Sequence, residues 1–501
     1  MIRKTMRDLA AMAGGVLIQD TGALVQGAVT DSRQVTPGCL YVPVQGARVD
    51  GHDFIEDVRK NGAAAALWQK DHKPYPAQIG LILVEDTVAA LQNIARAWLQ
   101  QLQPFTIGVT GSNGKTSAKD MLKAVLSRAG RTQATRGNRN SDIGLPLTVL
   151  EFDPDIEMAV LEMGMENFGE IETLTGIAPL DAAVITSIGS AHMENLGSRQ
   201  GIARAKMEIL RGLKPGGLFL YLADSPELAR ELEREENRRF IEENGIVLIP
   251  FSAVDIDRVQ VEQGGMAFDW KGQRWQLHAL GSFQCVNALP ALILGDRLHV
   301  PAPDLHQALA TLELTGMRTA LKPAGTAHIL DDSYKSNPES AIAALDTLAA
   351  LPGSHVAVLG DMLDLGPEET ALHAAVLDHA AALGIPVFTT GPVFSRLNQG
   401  WHPDQDALFE TLKPMLQDDT VILVKGSRAL ALDKLARRLE KEGNEAMNKI
   451  KLAVLFGGQS SEYSVSLHSA ASMLRNLDRD SYDLSLIGIT PQGRFLEYTG
   501  D

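Results

Sequence analysis

Short apolar runs recur along this chain, and between them the apolar residues fall at helical spacing. The runs Phe105-Thr-Ile-Gly-Val109, Met158-Ala-Val-Leu-Glu162, Ala182-Ala-Val-Ile-Thr-Ser187 and Gly217-Leu-Phe-Leu-Tyr-Leu222 read as strands. Their apolar residues are adjacent rather than alternating, the pattern of strands buried on both faces of a mostly parallel sheet. After the first run, Ala118, Met121, Leu122, Val125 and Leu126 repeat with a helical period. A further block opens near Thr315 and alternates in the same way, with strands predicted at His328-Ile-Leu330, His355-Val-Ala-Val-Leu359, Val387-Phe-Thr-Thr390 and Val421-Ile-Leu-Val424. The intervening helices make this a second doubly wound, Rossmann-like unit. Residues 1 to about 102 mix short strands and helices and end in an alanine-rich helix near 88–101, after which Gln101-Leu-Gln-Pro104 reads as a linker.

The pattern therefore predicts an α/β protein with blocks at 1–102, 103–314 and 315–446. The polar stretch Lys441-Glu-Gly-Asn-Glu-Ala446 closes the third block. Met447 then starts what reads as a fresh N-terminus: a strand at Lys451-Leu-Ala-Val-Leu-Phe456, the turn Gly457-Gly458, a helix over 464–477 and a strand over 484–489. This βαβ beginning stops at Asp501, too soon for the rest of such a sheet, so 447–501 is expected to be an incomplete fourth domain.

A length of 501 residues exceeds what one hydrophobic core supports. The formal net charge of −16 argues against nucleic acid or an anionic membrane as the main partner, so an anionic substrate must be held by local positive groups. Two cysteines, Cys39 and Cys285, make no disulfide framework and fit a reducing cytosol. The basic start Met1-Ile-Arg-Lys-Thr-Met-Arg is interrupted by Asp8 and Gly14-Gly15, which favours an amphipathic helix over a leader peptide. No apolar run is long enough for a membrane span, and a cytoplasmic location is expected. The charged stretch 230–243 reads as a solvated helix face.

The most informative segment is Gly108-Val-Thr-Gly-Ser-Asn-Gly-Lys-Thr-Ser117, set between a strand and a helix. Glycines there let backbone N–H groups converge on phosphate oxygens, and the helix N-terminus adds partial positive charge. Lys115 can reach the β- and γ-phosphates of ATP, and Thr116 can offer its hydroxyl to Mg²⁺. Val109 stands where the usual phosphate-loop pattern has its first glycine, so the match is a variant. Glu162 and His192 fall at or beyond neighbouring strand ends, where ligands bind in open parallel sheets, and Lys206 and Glu208 follow on a helix. Singly, each has a structural explanation as a cap, a solvated loop residue or a surface charge. Together, behind a Gly-Lys-Thr loop, they can form a shell for Mg²⁺ and a nucleotide.

These residues resemble the Mur ligases, the ATP-dependent amide-bond-forming enzymes of peptidoglycan synthesis. The resemblance implies a three-domain architecture with a central phosphate-loop sheet. It implies ATP binding by Gly108, Thr110, Gly111, Ser112, Asn113, Gly114, Lys115 and Thr116, and two Mg²⁺ sites involving Thr116, Glu162 and His192. Lys206 matches the lysine that becomes carbamylated, which would turn a cation into an anionic oxygen ligand. Thr135-Arg-Gly-Asn138-Arg-Asn140-Ser-Asp-Ile-Gly-Leu-Pro-Leu-Thr148 and Asp331-Asp332-Ser-Tyr334-Lys-Ser-Asn337-Pro338 resemble segments of the family member that joins D-Ala-D-Ala to UDP-MurNAc-tripeptide. The D-N-P-R motif of the diamino-acid-adding ligase is absent. The resemblance carries adenosine contacts to Asn287, with Phe283 and Gln284 at positions where the family has His and Asn, and nucleotide contacts to Arg318, Asp332 and Asn337. It places the UDP-sugar on Ser32, Arg33, Arg48, Asp50 and His52, and Lys425-Gly-Ser-Arg428 near the acceptor. Separately, Leu455-Phe-Gly-Gly-Gln-Ser-Ser-Glu462 resembles the opening of D-alanine–D-alanine ligase, suggesting a functional link to that enzyme. Two other readings stay open: another ligase of this architecture, such as folylpolyglutamate synthetase or the diamino-acid-adding ligase, and a nucleotide-binding switch that ligates nothing.

Overall fold

Strand Phe105–Thr110 is central to a six-stranded parallel sheet, because its residues can be buried from both sides. The sheet runs Val247–Phe251, Leu213–Leu222, Leu180–Ile185, Phe105–Thr110, Met158–Glu162, Thr132–Ala134. In the computed structural model, residues 1–498 are described except 263, 317–318, 398–399, 418, 449 and 478–480, and the side chains of 446–450 and 483. On Met158–Glu162, Ala159 and Leu161 enter one core while Val160 enters the other, so neighbouring side chains serve opposite faces. The second core packs the phosphate-loop helix Lys115–Leu126, through Met121, Leu122 and Val125, against Leu289 and Leu292 of the helix Ser282–Arg297.

The chain divides into two compact units, Met1–Thr319 with Ser336–Ala350 and Met362–Val376, and Ala320–Lys335 with Leu351–Asp361 and Leu377–Asp501. In the first, the amino-terminal block keeps a small core of its own around Tyr41, Val58, Trp68 and Leu81, and shares a second with the middle block. Met6 and Leu9 of the helix Met6–Ala13, and Ile94 and Leu99 of Thr87–Leu102, share a core with Leu145, Val149, Phe152 and Leu174. The opening helix is amphipathic as expected, with Thr5 and Asp8 forming a capping box.

One element departs from the expected alternation. Residues 256–277 form an antiparallel meander, Ile256–Glu262, Gly265–Trp270 and Gln273–Leu277, inside a block read as parallel. Its second turn is Lys271-Gly272, both at positive φ (48° and 72°), pairing Trp270 with Gln273. Two positive-φ residues match the right-handed twist of hairpin strands.

In the second unit the sheet runs Ala320–Ala324, Ala327–Asp332, Thr420–Lys425, Ser354–Gly360, Val387–Thr390, Trp401–His402. All pairs are parallel except the first, where Ala320–Ala324 folds back antiparallel. The polar stretch expected to end this block is helical: Asp433–Asn448 runs through it. Gly443 explains why, since a Cβ there would lie 2.3 Å from the Ala324 carbonyl oxygen, and Asn444 Nδ2 donates to Pro323 O at 3.2 Å. Residues 450–498 form parallel strands Ile450–Gly457 and Tyr482–Ile489, the helix Tyr463–Asn476 and a short third strand Phe495–Glu497. Among the described residues no helix is long and apolar enough to cross a membrane.

Candidate active site

Phe105–Thr110 hands the chain to Gly111 at φ 154° and Gly114 at φ 80°, and the helix Lys115–Leu126 begins at once. A Cβ on Gly111 would sit 2.0 Å from Thr186 Oγ1, and one on Gly114 would sit 2.4 Å from Asn287 Oδ1. Only glycine therefore fits at either position. The loop is stitched to the next strand's exit: Ser112 N–H donates to Ser187 O at 2.9 Å, Asn113 N–H to Ser187 Oγ at 2.8 Å, and Gly189 N–H to Ser112 Oγ at 2.8 Å. Lys115 Nζ donates to Gly111 O at 2.5 Å, so the ammonium curls over the loop. Thr110 Oγ1, buried at the loop's base, has no hydrogen-bond partner among the described residues.

The strands ending in Glu162 and leading to His192 flank Phe105–Thr110 on its two sides, which brings both residues to the edge that carries the loop. Glu162 is 2% exposed and held by three groups. Thr116 Oγ1 donates to Oε2 at 2.7 Å, Asn140 Nδ2 donates to Oε1 at 2.9 Å, and its own N–H reaches Thr135 Oγ1 at 3.0 Å. A carboxylate and a hydroxyl in contact are hard oxygen donors of the kind Mg²⁺ takes. His192 is half-buried in left-handed backbone at φ 64° and opens the short helix Met193–Leu196. Lys206 is 2% exposed on the helix Arg199–Met207. Glu208 belongs elsewhere, a correction to the sequence reading. Its carboxylate accepts the N–H groups of Gly169 and Glu172, at 2.8 and 3.3 Å, and so caps the helix Glu170–Ile177. Burial pushes its carboxyl above the usual range.

Asn287 packs on Gly114 and donates to Gln284 Oε1 at 3.1 Å. Asn337 and Asn113 exchange amide hydrogen bonds at 2.9 and 3.2 Å while Asn337 N-caps the helix Pro338–Ala349. In the second unit, Asp332 pairs in register with Lys425, whose Nζ donates to Asp332 Oδ2 at 2.7 Å and to Lys335 O at 3.0 Å. The two segments singled out separately in the sequence thus meet through one buried lysine. Arg318 lies outside the described residues.

Of the amino-terminal candidates, Ser32 starts a short helix, Arg48 is exposed and Arg33 is engaged by Asp31, with its Nε and Nη2 at 2.9 and 2.7 Å from the carboxylate. That guanidinium holds the Asp31 carboxyl down at about 2. Asp50 caps Gly51–Phe54 and accepts from His52 N–H at 2.9 Å. His52 itself is buried, edge-on to Trp68 and stacked on His72, with Nδ1 2.6 Å from Asp50. It is placed to shape the turn rather than to face solvent. A cavity of about 580 Å³ lined by Arg96, Phe105, Asp181 and Lys214 lies at the opposite end of the sheet strands from the loop. Thr135, Thr186 and Ser187 fall within segments quoted from the sequence, which gave them no role of their own. Asn140, quoted only as part of a segment, emerges as a direct partner of Glu162.

Three family models cover this architecture in order: "Mur ligase family, catalytic domain" over 24–99, "Mur ligase middle domain" over 109–295 and "Mur ligase, glutamate ligase domain" over 317–428. "D-ala D-ala ligase N-terminus" matches 451–501. The UDP-N-acetylmuramoyl-tripeptide–D-alanyl-D-alanine ligase of Bacillus subtilis is 36% identical over 462 residues, spanning 88% of this chain and 99% of that protein. A crystal structure of MurF from Acinetobacter baumannii superposes with a TM-score of 0.80 at 27% identity, covering 88% of this chain and 99% of that one. The MurF ligase from Thermotoga maritima in complex with ADP gives 0.75 at 28%, over 84% and 99%. With the loop, the Glu162 cluster and matches over nearly the full length of these relatives, the chain belongs to the Mur ligase family.

Proposed function

We propose that this protein is an ATP-dependent ligase that joins D-Ala-D-Ala to the terminal carboxylate of UDP-MurNAc-tripeptide, giving UDP-MurNAc-pentapeptide. The observation that carries this is the phosphate loop whose Thr116 meets Glu162, in a chain 36% identical to a named D-alanyl-D-alanine ligase.

An unactivated carboxylate is a poor electrophile towards amines, so ATP must first activate it. A tripeptide carboxylate oxygen attacks the γ-phosphorus, the bond to the β–γ bridging oxygen breaks and ADP departs, leaving an acyl phosphate. Lys115, turned from Gly111 O towards the nucleotide, stabilises the charge of that transfer. The dipeptide amine then adds to the acyl carbon, loses a proton, and phosphate leaves as the amide forms. Thr116, Glu162 and His192 would hold Mg²⁺, with buried Lys206 adding oxygen ligands as its carbamate. Mg²⁺, when bound, neutralises phosphate charge. Asn287 and Asn337, both in contact with the loop, suit adenosine and phosphate contacts, and the family resemblance assigns further nucleotide contacts to Arg318 and Asp332. Ser32, Arg48 and Asp50 suit the UDP-sugar, with His52 supporting them from below and Arg33 reaching it only by leaving Asp31. The match at 451–501 supports a functional link to a D-alanine–D-alanine ligase, whose product this reaction consumes.

The test is isotope transfer. With ¹⁸O in the tripeptide's terminal carboxylate, one label should appear in released phosphate, and only when ATP and both acceptors are present. Unlabelled phosphate accompanying product would exclude the acyl phosphate, and phosphate release without product would favour a switch.

A further inference from the structure

The helix that follows the phosphate loop buries two charged residues side by side. Lys119 and Asp120 are 2% and 7% exposed, with Nζ 2.8 Å from Oδ1. They lie three and four residues after Thr116, on the same face of the helix. Two adjacent buried charges are costly unless each is satisfied, so where their remaining bonds go is informative.

Lys119 turns towards the metal-side carboxylate. Its Nζ donates to Thr135 O at 3.0 Å, and the hydroxyl of the same Thr135 accepts the Glu162 N–H at 3.0 Å. Asp120 turns the other way. Its Oδ2 accepts the Thr315 N–H at 2.7 Å and its Oδ1 accepts the Thr315 hydroxyl at 3.1 Å. Thr315 begins the connection that leads, after Thr319, into the second unit. Polar contacts therefore lead from the Glu162 backbone to the Thr135 hydroxyl, from the Thr135 carbonyl to Lys119, across the Lys119–Asp120 ion pair, and from Asp120 to the start of that connection.

We propose that Lys119 and Asp120 are positioning residues, a buried relay that fixes Glu162 from one side and anchors the connection at Thr315 from the other. Nucleotide and metal loaded at the head of this helix thereby set where the connection begins. The proposal rests on reading Gly111–Thr116 as the phosphate site, and neither residue touches the substrate.

The whole chain is assayed with ATP, Mg²⁺, UDP-MurNAc-tripeptide and D-Ala-D-Ala, alongside calorimetry with a non-hydrolysable ATP analogue and a thermal melt. Lys119→Met should raise the Mg²⁺ concentration for half-maximal rate about tenfold, as expected when a group behind a ligand is lost. Asp120→Asn and Thr315→Val should lower kcat about tenfold and leave analogue affinity and the KM for ATP near wild type. The double variant Lys119→Met/Asp120→Leu removes the pair without stranding a charge, and it should keep the kcat loss even where its melt is restored. Wild-type kcat and Mg²⁺ dependence in folded Asp120→Asn, Thr315→Val or the double variant would overturn the relay, as would a kcat loss mirrored in analogue affinity. Failure of the wild-type chain to bind the analogue at all would instead bring down the reading of the loop on which the relay rests.

Discussion

Glu162 shows most plainly what one residue contributes. Its carboxylate is almost dry and takes two donors, the Thr116 hydroxyl of the loop on one oxygen and the Asn140 amide on the other. Glu162→Gln preserves volume while removing charge and one acceptor. We expect kcat to fall by about a hundredfold or more, the scale of losing an electrostatic stabiliser, with the melting temperature nearly unchanged. Steady-state kinetics with a parallel melt would check this. Cys285 illustrates the opposite case: burial pushes its thiol up to about 12, so native protein at pH 8 should resist alkylation there until unfolded, as peptide mapping would read. Asp31 titrates low because of Arg33, so its favourable contribution is present above the ordinary carboxyl range and lost as pH falls through about 2. Arg33→Ala should return that titration towards 3.8, visible by NMR. Lys115 and Thr116 follow in the sequence from the strand–loop–helix pattern and Glu162 from a neighbouring strand end, and Thr116 and Glu162 meet in the structure. Sequence reading misassigned Glu208, because a residue two positions from Lys206 gave no sign of which helix end it caps.

Elements explain how such residues are held. The loop works only as a turn without side chains, with Gly114 at φ 80° against Asn287. Gly114→Ala should abolish nucleotide binding by calorimetry while leaving the fold's far-UV signal intact, since the clash displaces the helix N-terminus rather than the sheet. Asn337 caps a helix and clasps Asn113 at once, so Asn337→Ala should cost about 1–2 kcal/mol in urea unfolding and weaken the nucleotide. The buried parallel strands were legible because their apolar runs admit few other readings. The meander at 256–277 was not, although Lys271-Gly272 between Trp270 and Gln273 is a two-residue hairpin signal in retrospect. The helix Asp433–Asn448 was cut short because its polarity suggested a boundary, whereas Gly443 is there to let the backbone approach Ala324.

For the whole molecule, the chain divides into two compact units, and in the first Met6, Leu9, Ile94 and Leu99 share a core with Leu145 and Leu174. A boundary between blocks that bury a common face leaves no mark in composition. Matching relatives are spanned over 99% of their length by 88% of this chain, and the segment 451–501 matches a separate family model. Ending the chain at Asn448 should leave kcat within about twofold of the full-length value, because relatives are spanned almost completely by the remaining 88% of this chain.

In a ligase of this kind, hydrolysis of ATP is obligatorily tied to forming one amide bond. Simultaneous measurement of phosphate release and of UDP-MurNAc-pentapeptide by mass spectrometry tests it most directly, with each acceptor omitted in turn. One phosphate is expected per pentapeptide, and neither product when D-Ala-D-Ala is left out. Phosphate release that continues without the dipeptide, or full turnover with no pentapeptide mass, would contradict it.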